Sequence, residues 1–295
     1  MITLEANSLI FRFPEVHEGA KSAIQFQRTL RIPDDGKDYP LPPGLGAFPL
    51  RHVEDFADRV PEGWCERAGV MMPLYQAEAM WISFSANWRS RGSYPCAVKI
   101  AAGKINAISG KPWKPELDGS ERDYIVVPEQ PWLDGFCVAK DVIRQFVAMP
   151  LGSGYSVEEQ ITGKPEHGGL QIIIYPMRRE HYEALLLRRE RSMAVAGARY
   201  RSLLCRTAEP AMGLAAGGRM TQQIYADPHG LDAWDQSVSS RCFVTLVDAV
   251  QWREITGEAP PTKPPTAAHQ SRPAVVRLLC RRSRDTWRRA GAGAC

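Results

Sequence analysis

Apolar and polar residues alternate in several short stretches of the first 177 residues. The alternation is clearest at residues 24–32 and 96–100. A two-residue period with β-branched side chains is typical of half-buried strands. Further stretches of strand character lie at residues 9–13, 124–127, 142–148 and 170–175. Because proline and glycine separate these stretches as turns require, we predict a β-rich domain over residues 1–177.

A helical pattern follows. The apolar residues at helical spacing are Tyr182, Leu185, Leu186 and Met193. Their spacing predicts a connecting helix over residues 178–207. Eight arginines and three glutamates lie between residues 178 and 206, so one helix face could contact nucleic acid or an acidic partner. A solvated helix surface is the simpler interpretation.

Residues 208–266 carry both patterns. Strands are predicted at residues 219–225 and 242–247, followed by a short helix over 248–256 that ends at Gly257. This range therefore predicts a small C-terminal α+β module. The predicted fold class is α+β, with a β-rich N-terminal part, a connecting helix and this module.

A glycine-rich stretch at residues 149–160 is the first candidate for a ligand site. Its backbone N–H groups could approach an anion, with Gly152, Gly154 and Tyr155 as the ligand-binding residues. The stretch fits neither a phosphate-binding loop nor a dinucleotide fingerprint. Ser156 and Glu159 have the spacing of a capping box, so turn and helix-capping geometry is the stronger interpretation.

Acidic residues and a histidine follow directly. Glu158, Glu159 and His167 could act as general acid and base in a hydrolase-like reaction, and Glu166 lies beside them. No spacing fixes metal ligands on one face, so no metal site and no cofactor is predicted. A polar loop explains the same residues, and His167 with two following glycines suits a turn into the strand at 170–175.

Two other sets admit a functional interpretation. An aromatic and proline set could line an apolar groove or pack a core, and its members are Trp113, Trp132, Tyr155, Pro112, Pro128 and Pro131. An acidic set near His229 could bind a cation, and it comprises Asp227, Asp232 and Asp235. Its spacing does not fit a calcium loop, so turns and a helix cap explain it more simply.

The charge distribution weakens the case for nucleic acid. The net charge is +4, but residues 267–295 contain seven arginines and one aspartate. The rest of the chain has 30 basic and 32 acidic residues, and is slightly acidic. No apolar run is long enough to span a membrane, and the first residues do not resemble a signal peptide. Seven scattered cysteines without a C-x-x-C motif indicate reduced thiols and a cytoplasmic protein.

Residues 209–218 and 262–266 carry a resemblance to an uncharacterised family of bacterial and fungal proteins. In some fungal members this module follows a ubiquitin-like domain. Residues 145–152 and 163–171 resemble the N-terminal part of the bacterial members, so the resemblance covers about residues 1–266. It implies a modular interaction role and brings no assigned catalytic residues.

The resemblance stops in the basic tail at residues 267–295. The family continues with a segment of the type Gly-Leu-Pro-aromatic-aromatic, and one permitted coding of residues 272–284, read one nucleotide later, gives Gly-Leu-Pro-Trp-Phe-Asp-Tyr-Tyr. This match favours a frameshift that replaced the native C-terminus, and we then expect a disordered tail. A genuine basic tail for nucleic acid is the alternative.

Two functions from different classes follow. The first is a non-enzymatic binding or scaffold protein that uses residues 152–160 and nearby aromatic side chains. Its partner would be an unknown protein or small molecule, with no membrane and with nucleic acid unfavoured. The second is a hydrolase-like enzyme using Glu158, Glu159 and His167. Convergence of these three side chains in one concave pocket would favour the enzyme.

Overall fold

The computed structural model describes residues 1–84, 93–164, 166–195, 215–260 and 263. Within these residues the chain forms a ten-stranded sheet, a seven-stranded sheet and four α-helices. Strands far outnumber helices, and this confirms the predicted β-rich α+β class. None of the helices in these residues has the length and apolar composition needed to cross a membrane.

The first sheet is mainly antiparallel. Its strands are β1 (Ile2–Glu5), β2 (Ser8–Arg12), β3 (Lys21–Thr29), β4 (Asp38–Tyr39), β5 (Gly44–Ala47), β8 (Ala79–Phe84), β12 (Trp132–Leu133), β13 (Gly135–Ala139), β14 (Val142–Val147) and β16 (Ala215–Thr221). The order along the sheet is β1-β2-β3-β8-β14-β16-β4. β5 also pairs with β3, β12 with β8, and β13 with β14.

The second sheet holds the longest buried strands. Its members are β6 (Arg51–His52), β7 (Val70–Leu74), β9 (Cys96–Ala102), β10 (Ile105–Asn106), β11 (Ile125–Val127), β15 (Leu170–Pro176) and β17 (Ser240–Asp248). Their order is β10-β9-β15-β17-β7-β6, and β11 also pairs with β9. β17 is antiparallel to β15 and parallel to β7. β9 and β15 are buried at every position. An alternation of apolar and polar residues predicts one buried face and one exposed face, so it does not predict strands that are buried on both faces.

The helices are short apart from one. They are α1 (Glu62–Arg67), α2 (Val157–Thr162), α3 (Arg179–Val195) and α4 (Ala249–Thr256). α4 begins at the Asp248 cap, whose side chain accepts a hydrogen bond from the backbone N of Val250, and ends at Gly257 in the left-handed region. These ends match the predicted helix over 248–256, because aspartate and glycine are the usual signals at those positions.

The two sheets share one apolar core. Side chains from β2 and β3, such as Phe11 and Phe26, belong to the same buried cluster as Ile100, Ile172 and Val244 from the second sheet. A smaller cluster forms where α4 packs Trp252 and Ile255 near β7. Both sheets therefore contribute side chains to one main core, and α4 contributes to a smaller one.

Residues 208–266 do not pack as a separate module in the part that the structure describes. β16 pairs with β14 and β4, and β17 lies between β15 and β7. The absence of side chains at two glycines permits this arrangement, because a Cβ at Gly217 would lie 2.6 Å from Cγ2 of Val147 and one at Gly218 would lie 2.3 Å from the Pro33 carbonyl oxygen. Residues Met1–Thr262 form one compact unit, so the predicted boundary after residue 177 is not a boundary of packing.

The predicted connecting helix over 178–207 is represented by α3. Three side chains of α3 pack on the main core, those of Tyr182, Leu185 and Leu186. Residues 196–207 and the predicted disordered tail at 267–295 lie outside the described residues.

Among the described residues, a buried ion pair is associated with each sheet. Arg28 on β3 pairs with Glu78 just before β8, and Lys99 on β9 pairs with Asp123. Lys99 is fully buried, donates also to the Glu116 carbonyl and lies 5.6 Å from the centre of the Trp113 ring. The Lys99 ammonium group therefore holds the loop between β10 and β11 against the sheet.

Replacing Lys99 tests this role. We expect Lys99→Met to lower the free energy of unfolding by about 3–5 kcal/mol, because Asp123 would remain as a buried, uncompensated charge. The double variant Lys99→Met/Asp123→Asn should lose less, since it buries no charge. Equilibrium urea denaturation measures both, and a single variant as stable as the parent would contradict the assignment.

Asp134 is a buried carboxyl between β12 and β13. Burial raises its pKa to about 7, and Trp132 Nε1 donates to its Oδ2 at 3.3 Å. Its Oδ1 has no hydrogen-bond partner among the described residues. The folded chain therefore binds this proton more tightly than the unfolded chain does, and stability falls as pH rises from about 4 towards 7.

Asp134→Asn should remove this pH dependence. At about pH 8 we expect the variant to unfold with a free energy up to about 4 kcal/mol higher than the parent, because the parent then buries an ionised carboxylate. At about pH 3 the two should be close, since Asp134 is protonated there in both the folded and the unfolded chain. Urea denaturation at both pH values measures the difference, and parallel pH profiles would count against it.

Candidate functional site

A cleft lies at one end of the second sheet. β15 begins at Leu170, opposite Val244, while β17 continues to Asp248. The last four residues of β17 therefore run beside β7 without β15 as their neighbour, and a concave space of about 440 Å³ opens there. The cleft thus originates in the unequal lengths of two adjacent strands.

Its walls come from segments that are far apart in the sequence. The apolar lining residues include Trp64, Leu74, Met149, Pro150, Leu151, Val157, Leu170, Phe243, Val244, Leu246 and Val247. The polar and charged lining residues are Arg67, Gln76, Ser156, Glu158, His167, Thr245, Asp248 and Gln251. Apolar walls with a few polar groups are typical of small-molecule sites.

Glu158 lines the cleft with a carboxylate that is already engaged. Its Oε2 accepts the backbone N–H groups of His167 at 3.1 Å and Gly168 at 2.9 Å, and its Oε1 accepts that of Lys104 at 3.2 Å. The side chain is only 2 % exposed. Gly103 leaves room for it, because a Cβ there would lie 2.3 Å from the Glu158 carboxyl carbon.

Glu159 points into the glycine-rich loop instead. Its Oε1 accepts the N–H of Gly154 at 2.9 Å, and its Oε2 accepts the N–H and hydroxyl of Ser156 at 3.2 and 2.6 Å. These bonds, led by that of the Ser156 hydroxyl, hold the pKa of Glu159 below its usual value. The predicted capping box is confirmed, and the anion that the loop cradles is the chain's own carboxylate.

His167 lines the cleft beside Glu158. Its Nδ1 lies 3.9 Å from Glu158 Oε1 and makes no hydrogen bond among the described residues. Gly168 and Gly169, both with positive φ, then turn the chain into β15. The predicted turn at His167 is therefore confirmed, and its imidazole faces the same space as Glu158.

Arg67 contributes the cation of the cleft. Its Nε donates to the Gly63 carbonyl oxygen at 2.9 Å and its Nη1 donates to the His167 carbonyl oxygen at 3.0 Å. These two bonds fix the guanidinium between α1 and the turn before β15. No carboxylate of the described residues lies within ion-pairing distance of Arg67.

The structure brings together part of the predicted site. Glu158 and His167 share the cleft, whereas Glu159, Gly152, Gly154 and Tyr155 are not among its lining residues. Tyr155 is 57 % exposed. The three candidate catalytic side chains therefore do not converge in one pocket, because Glu159 is turned into its own loop.

The other two predicted sets serve the fold. Trp113 packs against the core, while Trp132 is 39 % exposed on β12, and neither lines the cleft. The carboxylate of Asp227 accepts hydrogen bonds from Tyr124 Oη and Trp234 Nε1 at 2.7 and 2.8 Å. Across the described ranges, no group of three or more His, Cys, Asp or Glu side chains is arranged to hold a metal ion.

The cysteines in the described ranges are free thiols. They are Cys65, Cys96, Cys137 and Cys242. Burial raises the pKa of both Cys137 and Cys242 to about 12. They therefore pack as small apolar side chains and are poor nucleophiles.

Sequence reasoning missed Arg67, Trp64 and the cleft-facing end of β17. Pro61 followed by Glu62 is a helix-start signal and could have located α1. Nothing in that signal places Arg67 against His167, which lies 100 residues further on.

Comparisons with models of known protein families, with curated proteins and with solved structures find no significant match for this chain. The resemblance to the bacterial and fungal family therefore stays a prediction. Function must be inferred from the cleft.

Replacing Glu158 tests its structural role. We expect Glu158→Gln to lower the free energy of unfolding by about 2–4 kcal/mol, because an amide cannot accept all three buried N–H groups. Hydrogen exchange at the amides of Lys104 and Gly168 should accelerate. Glu166→Gln is the matched control, since its surface pair with Lys104 is screened by solvent. Unchanged stability and exchange in Glu158→Gln would refute the role.

Proposed function

We propose that this chain is a non-enzymatic binding protein that takes a small ligand into the cleft at the end of the second sheet. The observation that carries the proposal is the coincidence of an apolar concave space of about 440 Å³ with a fixed, unpaired cation. Protein sites for small molecules have volumes in this range and a similar mixture of apolar walls and few polar groups.

The rim adds apolar surface to the cleft. Leu151 lines it and is 46 % exposed. Tyr155, four residues further along the same loop, is exposed as well. Exposed apolar side chains beside a concave apolar site are typical of ligand-binding surfaces, and this supports the expected role of residues 152–160 as part of the rim.

The state of the two carboxylates favours binding over catalysis. Glu158 accepts three backbone N–H groups, and Glu159 accepts two backbone N–H groups and a hydroxyl. A general base needs a free lone pair directed at the substrate. Either carboxylate would have to abandon structural hydrogen bonds to supply one.

One observation favours the hydrolase-like alternative. Glu158 and His167 line the same cleft, and the distance of 3.9 Å between Glu158 Oε1 and His167 Nδ1 allows a carboxylate to orient an imidazole. In such an enzyme His167 would be the base and Glu158 its orienting partner. Turnover of an activated ester that His167→Gln abolishes would favour this alternative over binding.

Binding in the cleft can be tested with the neutral fluorescent dye N-phenylnaphthylamine. We expect a saturable rise in fluorescence with the full chain. Thr245→Trp should weaken the dye about tenfold or more, because an indole on β17 would occupy the cleft. Fluorescence titration gives the dissociation constants.

Thr3→Trp is the matched control, since Thr3 is also a half-buried strand threonine but lies on β1, outside the cleft. It should leave the affinity unchanged. Equal affinity in Thr245→Trp and the parent would reject the cleft as the binding site.

A further inference from the structure

We propose that the ligand of the cleft is an organic anion with an apolar body, and that Arg67 holds its charged group. This inference rests on the proposed function, because it assigns the ligand class of the same cleft. It follows from the charge that the cleft presents, the fixed position of that charge and the nature of the walls.

The charged groups that line the cleft differ in whether they are free to interact with a ligand. The Glu158 carboxylate is enclosed and accepts three N–H groups. Asp248 is exposed to solvent, and its Oδ1 accepts the Val250 N–H at 2.8 Å as the cap of α4. Arg67 alone among these groups is a cation, and it has no carboxylate within ion-pairing distance in the described residues. An anion in the cleft would meet this unpaired positive charge.

The guanidinium of Arg67 is also held in place before any ligand arrives. Two of its N–H groups donate to carbonyl oxygens, those of Gly63 and His167. The hydrogens on Nη2 make no hydrogen bond within the described residues. A guanidinium fixed by two backbone contacts loses little further freedom when it binds an anion. The free N–H groups of Nη2 suit an oxyanion, because a guanidinium makes strong, charge-assisted hydrogen bonds to negatively charged oxygens.

The walls decide between a simple inorganic anion and an organic one. Trp64, Leu151 and Leu246 are among the apolar side chains that line the cleft, together with the ends of β7 and β15. Burial of apolar ligand surface against them is favourable by about 25 cal/mol per Å². A bare phosphate would leave these walls in contact with water. The combination therefore suits an acid that has an apolar or aromatic body.

The experiment compares two dyes that differ in one charged group. Anilinonaphthalene sulfonate carries the ring system of N-phenylnaphthylamine together with a sulfonate. With the full chain, we expect the sulfonate dye to bind about tenfold more tightly than the neutral dye, because of the contact with Arg67. Arg67→Gln should remove this advantage and leave the affinity for the neutral dye unchanged.

Arg59→Gln is the matched control. Arg59 Nη1 donates to the Ile255 carbonyl oxygen at 3.2 Å, so it also joins two elements through a backbone contact, but it does not line the cleft. Neither dye should respond to this change. Inorganic phosphate should not displace the sulfonate dye at concentrations where octanoate does.

The outcomes separate this inference from the proposed function. If Thr245→Trp weakens both dyes while Arg67→Gln affects neither, the cleft binds ligands but the anion inference fails. If Arg67→Gln weakens both dyes equally, Arg67 shapes the cleft and does not recognise charge, which also overturns the inference. Displacement by phosphate as effective as that by octanoate would reject the need for an apolar body. If Thr245→Trp changes the affinity of neither dye, the cleft is not the binding site and the proposed function fails.

Discussion

The carboxylate of Glu158 is the interaction on which the candidate site depends. It receives backbone N–H groups from the turn after β9 and from the turn before β15, and it belongs to a third segment, α2. α2 and the nearby turn before β15 thus share one anion with a turn that lies 54 residues earlier in the sequence. Because Gly103 has no side chain and a positive φ of 55°, the turn after β9 can close tightly around that anion. The position of His167, and through its carbonyl oxygen that of Arg67, follows from this arrangement.

The two adjacent glutamates accept hydrogen bonds from backbone N–H groups on two different sides of α2. Glu159 satisfies the N–H groups of the glycine-rich loop, and Glu158 satisfies those of the turns on the other side of α2. A six-residue helix has little stability of its own. The carboxylates at its start link it to its surroundings on both sides, and the cleft wall at Val157 remains in place for that reason.

Local patterns in the sequence predict the helices, strands and turns well, but they do not predict which of these elements lie next to each other in the fold. The capping box at Ser156, the turn at His167 and the Asp248 cap of α4 all depend on residues a few positions apart, so the sequence shows them directly. β15 and β17 could likewise be located from their β-branched residues. The pairing of Val244 with Val70 could not, because nothing in either strand specifies a partner about 170 residues away. The cleft arises from that pairing, and Arg67 escaped sequence reasoning for the same reason.

The central place of β17 in the second sheet has a consequence for synthesis of the chain. β7 and β15 leave the ribosome long before β17, yet β17 lies between them and supplies the ladder partner of both. Until residue 248 has emerged, the facing edges of two apolar strands have no native neighbour. Such edges are the usual starting points of wrong pairing in nascent chains. The order of the strands along the chain therefore leaves these two edges open to wrong pairing until translation has passed residue 248.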